Sequence, residues 1–265
     1  MTNPLIYQKT PTPEGAVMNF SPSKFAEFIT HPHRWFQSQV MGVSSFDYNT
    51  SSVLGTIVHY CAEMVAKGEE VDQKMIKEYV LMHEANEDYD PDTVLSQYIG
   101  MAEELVNAYV LRNDYLEVET QHQAEIKNGY FAGGTLDAIQ GSKEDCMVVD
   151  YKTYNSKTAP KTIPSYYKYQ LLVYVWVLLK KSYNPTRIRL VYINRNIDGG
   201  VSDKTGKPLK SYPPTTTVLT EVITQEDIDF IDGLLNLAVD SIEAWKKYPE
   251  LAHVIFHDPR LRPND

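Results

Sequence analysis

Cysteine is nearly absent from this 265-residue chain, which has only Cys61 and Cys146. Two are too few for a disulfide framework or a four-cysteine metal cluster. No apolar run approaches the length of a membrane span, and the opening MTNPLIYQKTPTPEG lacks the basic-then-apolar layout of a signal peptide. Together these absences predict a cytoplasmic protein with no membrane partner. Thr205-Gly206-Lys207-Pro208 has no Ser or Thr after its lysine, so a phosphate-cradling P-loop is excluded. No G-x-G-x-x-G follows a strand pattern, and no G-x-S-x-G elbow or Cys-His arrangement stands out for nucleophilic catalysis. There is no internal repeat.

Positive charge is also in deficit. The chain holds 25 Lys and Arg against 35 Asp and Glu, a net charge of -10, which taken alone argues against a nucleic-acid ligand. Its distribution argues the other way. Between Asp150 and Lys210 lie twelve Lys and Arg against three Asp and Glu, interleaved with tyrosines. A positive sector on an acidic body is the footprint of a phosphate-backbone binder, although a basic stretch is also the usual make-up of a solvated face. Lys157, Lys161, Lys168 and Arg195 are the candidate phosphate contacts within it.

What is present in quantity is ordinary: 43% hydrophobic and 23% charged residues suit a globular protein. Residues 1–20, rich in Pro and Thr, read as an arm without a period. Ser21 caps a helix with Pro22 at its first position, which ends at His31-Pro32; a second amphipathic segment runs to about Met41. Helices are expected over 52–68, 72–87 and 92–112. Residues 115–126 alternate, with Glu117 and Glu119 on the polar face, and Asn128-Gly129 turns them into a strand over 130–139. A strand at 146–153, a helix at 165–181, strands at 187–196 and 216–223 and a helix over 224–247 follow. The order predicts an α/β fold, a mixed central β-sheet flanked by helices with helical elements at the N-terminus. One domain is expected over 21–250, helical in 21–113 and carrying the sheet in 115–247, with an irregular tail at 251–265.

Chemistry concentrates in the middle of the chain. Asp137 sits near the end of one expected strand. Asp150 and Lys152 share a face of the next, with Tyr151 turned away between them. On the residues alone, this is either a solvated strand edge carrying an ordinary ion pair or a metal site beside a catalytic lysine. His59 and Glu63 share a helix face four residues apart, which also suits a core-bonded histidine with a surface glutamate.

Leu54-Gly55-Thr56-x-x-His59, Gly134-Thr135-Leu136-Asp137, Val149-Asp150-Tyr151-Lys152-Thr153 and Gln170-x-x-x-Tyr174 stand in one order and spacing. That pattern resembles the PD-(D/E)XK nuclease superfamily over roughly residues 20–180, and within it the RecB/RecE branch of phage-type recombination exonucleases. The segment from Ser21-Pro22-Ser23 to Trp35-Phe36 resembles the start of that branch. The resemblance implies a restriction-endonuclease-like core and a metal-dependent DNA exonuclease working on linear double-stranded ends.

His59, Asp137, Asp150 and the Tyr151 backbone carbonyl would then ligate Mg²⁺ or Mn²⁺, with Glu119 as a further candidate and Glu63 a weaker one. Carboxylate oxygens suit Mg²⁺, and a histidine tilts preference toward Mn²⁺. Lys152 would position and help deprotonate the attacking water or stabilise the phosphate, and Gln170 and Tyr174 would brace Lys152 or touch the DNA. Cluster-bearing relatives have a cysteine where this chain has His31, so no iron–sulfur cluster is expected. A single-strand annealing protein and a ring-shaped homo-oligomer are the partners that the resemblance implies. Two other readings stay open: a non-catalytic DNA-binding scaffold of the same fold, and a restriction-type endonuclease using the loop at 199–214.

Overall fold

The structure, a computed structural model, describes residue 5 and residues 12–42, 48–83, 85–156, 158–197, 200–201 and 204–255. Its first strand, β1 (Met18–Phe20), falls at the end of the expected arm, where three residues are too few to display a period. Ser21 precedes α1 (Pro22–Thr30), with Pro22 at the first helical position, where no N–H is needed. After His31 comes a single turn, α2 (Pro32–Trp35), continued by a π-helical turn at Phe36–Val40.

Helix α3 (Thr50–Lys67) starts earlier than the pattern suggests, because Asn49 and Ser52 exchange side-chain and backbone hydrogen bonds in a capping box. Helix α4 (Gln73–Leu81) is shorter than the expected 72–87. Downstream, the Asn86 carboxamide oxygen accepts from the Asp88 and Tyr89 N–H groups, a local turn that competes with helix. Helix α5 (Pro91–Ala108) passes into a 3-10 turn at Val110–Arg112.

Strands β2 (Glu117–Lys127) and β3 (Tyr130–Gly141) form the expected hairpin. Asn128 and Gly129 take φ of 54° and 79°, the left-handed pair that lets a two-residue turn follow the strand twist. Then come β4 (Cys146–Tyr154), α6 (Ser165–Lys180), β5 (Pro185–Asn194), β6 (Thr216–Val222) and α7 (Gln225–Lys247), near their expected places. The start of the tail is ordered rather than irregular, with a 3-10 turn at Pro249–Leu251 and the short α8 (Ala252–Ile255). Residues 256–265 lie outside the described residues.

The strands make one mixed sheet in the order β1-β3-β4-β5-β6, with β2 paired to β3. Strand β2 runs antiparallel along one edge of β3. The other edge is shared. Parallel β1 pairs with residues 130–132 and antiparallel β4 with residues 138–141. Among the described residues, no strand flanks 133–137 on that side.

Apolar side chains fill both faces. Ala138, Val149, Tyr151 and Val191 pack under α3 and α5, while Ile139, Val148 and Leu190 pack against Leu171 of α6. A third cluster joins α1, α6 and α7 around Phe20, Trp35 and Trp176. Helix α6 is buried continuously from Gln170 to Leu178 because the sheet covers one side and α1 and α7 the other.

Beyond α4, the His83 ring stacks on Tyr48 at 3.7 Å and meets the edges of Tyr79 and Tyr89. Its Nε2 has no hydrogen-bond partner among the described residues, and burial lowers its pKa below the ordinary histidine range. Such a group binds its proton more readily in the unfolded chain. The stability it contributes is therefore full above the unfolded value of about 6.5 and is lost as pH falls through the folded one. Thermal melts across that window should show a smaller acid-side loss for His83→Phe than for the wild type.

Candidate active site

Three elements converge on the open stretch of β3. Gly55 lets α3 lie close against β4, since a Cβ there would stand 3.2 Å from Thr153 Oγ1. One turn later His59 reaches over β3, its Nδ1 3.6 Å from Asp137 Oδ2. Where β3 and β4 part, Asp137 replaces the sheet bonding: its Oδ2 accepts from the Tyr151 N–H at 2.7 Å. The N–H and C=O of one extended residue leave on the same side of a strand, so the Tyr151 carbonyl also faces the gap. Its ring lies in the α3-side core and meets His59 edge-on at 5.9 Å.

Strand β2 contributes through a break in its alternation. Glu119 has φ 51°, a left-handed conformation that a non-glycine residue keeps only where its surroundings enforce it. The break reverses the strand's faces. Glu117 Oε2 lies 2.7 Å from Nε2 of His122, five residues on, whereas unbroken alternation would have put the two on opposite sides. Glu119 is thereby aimed into the site, where ligand atoms of His59, Glu119 and Asp137 lie within 4.8 Å of one another.

Asp150 stands beside this trio but is engaged by Lys152, whose Nζ is 2.8 and 2.6 Å from its two oxygens. Glu63 lines the same cleft and is held by Lys67 at 2.5 Å. The cleft encloses about 540 Å³. Gln170, buried on α6, and the start of α1 at Ser21 and Ser23 complete its wall. Ser21 makes no side-chain cap bond to α1, and its hydroxyl is buried with no partner among the described residues. Tyr174 donates to the Thr135 carbonyl, which braces the open edge of β3.

Burial and the neighbouring Asp137 push the Glu119 carboxyl up to about 9. Burial would raise Asp137 too, but His59, Lys152 and the Tyr151 N–H hold it below the usual carboxylate range. Lys152 is raised because Asp150 and Asp137 outweigh the effect of its own burial. For Asp150 burial prevails, and its pKa is raised. Three carboxylates around one ammonium leave an excess of negative charge that a divalent cation would neutralise. One imidazole nitrogen with carboxylate oxygens is a donor set that Mg²⁺ and Mn²⁺ accept. The residues therefore fit such an ion.

Among the described residues, several cations of the basic stretch are already held by neighbouring side chains. Lys168 is held by Glu221 and Asp227 at 3.3 and 3.0 Å, and Arg187 by Asp145 at 3.3 Å. Arg189 donates to Thr220 and to the Tyr109 hydroxyl at 2.9 and 3.2 Å. Lys180 and Lys181 are at the far end of α6, roughly 22 Å along its axis. Lys161 is exposed on the loop before α6. Arg195 is only 9% exposed, and its Nε has no acceptor among the described residues. Lys157 lies outside the described residues.

The model of the PD-(D/E)XK nuclease superfamily matches residues 19–251. Among solved structures, a candidate exonuclease from Eubacterium rectale aligns with TM-score 0.54 and 13% identity, covering 91% of this chain and 88% of its own. At that identity the likeness speaks for the fold alone. LHK-Exo in complex with dAMP, an alkaline exonuclease from Laribacter hongkongensis, covers 91% of this chain and 94% of its own at 13% identity. Its TM-score of 0.39 carries no structural argument. No curated protein matches the sequence.

Glu119→Gln removes one of the crowded carboxylates. In EDTA the variant should melt about 2–4 °C above the wild type, since relief of about 1 kcal/mol has that effect in a chain of this size. Its Mn²⁺ affinity, measured by titration calorimetry, should fall about tenfold or more. A lower melting point with unchanged affinity would remove Glu119 from the ligand set.

Proposed function

The chain belongs to the PD-(D/E)XK nuclease superfamily, and from that premise we propose that it is a Mg²⁺- or Mn²⁺-dependent exodeoxyribonuclease acting on the ends of linear duplex DNA. One observation supports this reading best: the meeting of His59, Glu119 and Asp137 in the cleft that also holds the Asp150–Lys152 pair. Those three residues would hold the ion, with Asp150 and the Tyr151 carbonyl as further oxygen donors. Once bound, the cation supplies neutralisation of phosphate charge and a more acidic water.

The remaining work falls to this chain's own groups. Lys152, kept charged by Asp150, presents its ammonium to the phosphate and offsets the negative charge that builds as a fifth oxygen approaches phosphorus. Asp137 is held in place by the Tyr151 N–H, so it does not reorganise when substrate arrives. Gln170 lines the same wall and orients the phosphodiester. Lys161 is the favoured backbone contact because it is exposed on the loop that leads into α6. On this reading the setting is recombination or repair of phage-type DNA ends in the cytoplasm. A single-strand annealing protein would be the companion and a ring-shaped homo-oligomer the assembled form.

End-labelled linear duplex should lose its label in Mg²⁺ or Mn²⁺ and stay intact in EDTA. Lys152→Ala should slow release about 10²–10³-fold. Wild type that cleaves no linear duplex, circle or single strand with either metal would end the nuclease reading.

The salt dependence of DNA binding separates the lysines. Lys161→Ala should flatten the log–log slope by about 0.9, the value of one lost phosphate contact. Lys168→Ala should leave the slope alone and lower the melting temperature slightly, because that ammonium already serves Glu221 and Asp227.

A further inference from the structure

The tyrosines that open α6 have no part in the chemistry above, yet they stand beside it. Tyr166 and Tyr167 meet edge to face, with ring centroids 5.5 Å apart at 78°. Tyr167 meets Tyr192 in the same manner at 5.8 Å, and Tyr192 meets Tyr154 at 5.1 Å. The row thus runs unbroken from the first turn of α6 to the ends of β4 and β5. It passes Lys152, whose Nζ lies 5.7 Å from the centre of the Tyr167 ring.

Burial changes along this row. Tyr192 is 4% exposed and forms a fixed floor, whereas Tyr166 is 36% exposed. The Tyr166 hydroxyl donates to the Ser23 carbonyl at 3.2 Å, which pins the ring at the rim of the cleft that Ser23 lines. A ring fixed at its hydroxyl and along one side loses little freedom when something stacks on it. Exposed Lys161 lies five residues upstream, on the loop that leads into α6.

A fixed aromatic face with cations beside it is how proteins hold unpaired nucleic acid, with bases on the rings and phosphates on the charges. Bases within a duplex stack on one another and leave no face for such a ring. We propose that Tyr166 is a stacking platform for the unpaired base next to the phosphate being cut. The strand would then enter the cleft single, as an overhang or a frayed end. This inference rests on the nuclease reading above and names the form of DNA that the site takes.

Its test is binding of labelled single strands by fluorescence anisotropy in Ca²⁺, with strand integrity checked on a gel. An abasic residue is walked through the terminal positions of the strand. In the wild type, one abasic position should weaken binding about fivefold or more, the effect of one lost stack. Tyr166→Ala should lose a similar factor on the intact strand and become indifferent to the abasic position. Tyr166→Phe, which keeps the ring and drops the bond to Ser23, should retain the abasic penalty and bind clearly more tightly than the Ala variant. An abasic penalty undiminished in Tyr166→Ala would overturn the platform, as would a Phe variant as weak as the Ala variant. Wild type that binds no DNA would remove the nuclease reading along with it.

Discussion

The hydrogen bond from the Tyr151 N–H to the Asp137 carboxylate is the contact on which the site depends. It stands where β3 and β4 separate, and it takes the place of the next rung of the ladder. A strand end that opened without such a partner would leave a buried N–H unsatisfied, at a cost of about 1–3 kcal/mol. With it, the strands can diverge, and the gap between β1 and β4 becomes a lined cleft rather than a defect. Tyr174 performs a matching service on the same stretch of β3 by bonding the Thr135 carbonyl. The sheet is thus held open by side chains, and one of them, Asp137, lies in the group with His59 and Glu119 that could hold a metal ion.

What gathers in the gap is costly to the fold. Two like charges within 4.8 Å of each other, at an effective dielectric near 20, repel by roughly 3 kcal/mol or more. That is a large share of the 5–15 kcal/mol by which a domain is typically stable. The cleft answers with Lys152 and His59, and where these fall short Glu119 keeps a proton. The left-handed backbone at Glu119 is what brings its carboxylate to the other two groups.

The basic stretch teaches a different lesson. Lysines and arginines close together in sequence are drawn apart by the secondary structure that carries them. A helix of α6's length separates its ends by more than a Debye length. Carboxylates from β6 and α7 then neutralise Lys168. Charge counted along the chain overstates the charge that a ligand meets.

Local physics made much of this legible in the sequence. Alternation, caps and the Asn128-Gly129 turn identified the hairpin, most of the helices and the sharing of one strand face by Asp150 and Lys152, because each depends only on near neighbours. The motif order likewise placed His59, Asp137 and Gln170 at the cleft, where the structure has them. Glu119 was indistinguishable from the other glutamates of its strand, since a positive φ leaves no mark in composition. The same holds for the three-residue β1 and the pairing of Lys168 with residues more than fifty positions away. The sequence by itself determined the elements and the chemistry they carry. Tertiary structure alone decided which carboxylates meet and which lysines remain open, because both depend on where strands part and which distant charges arrive.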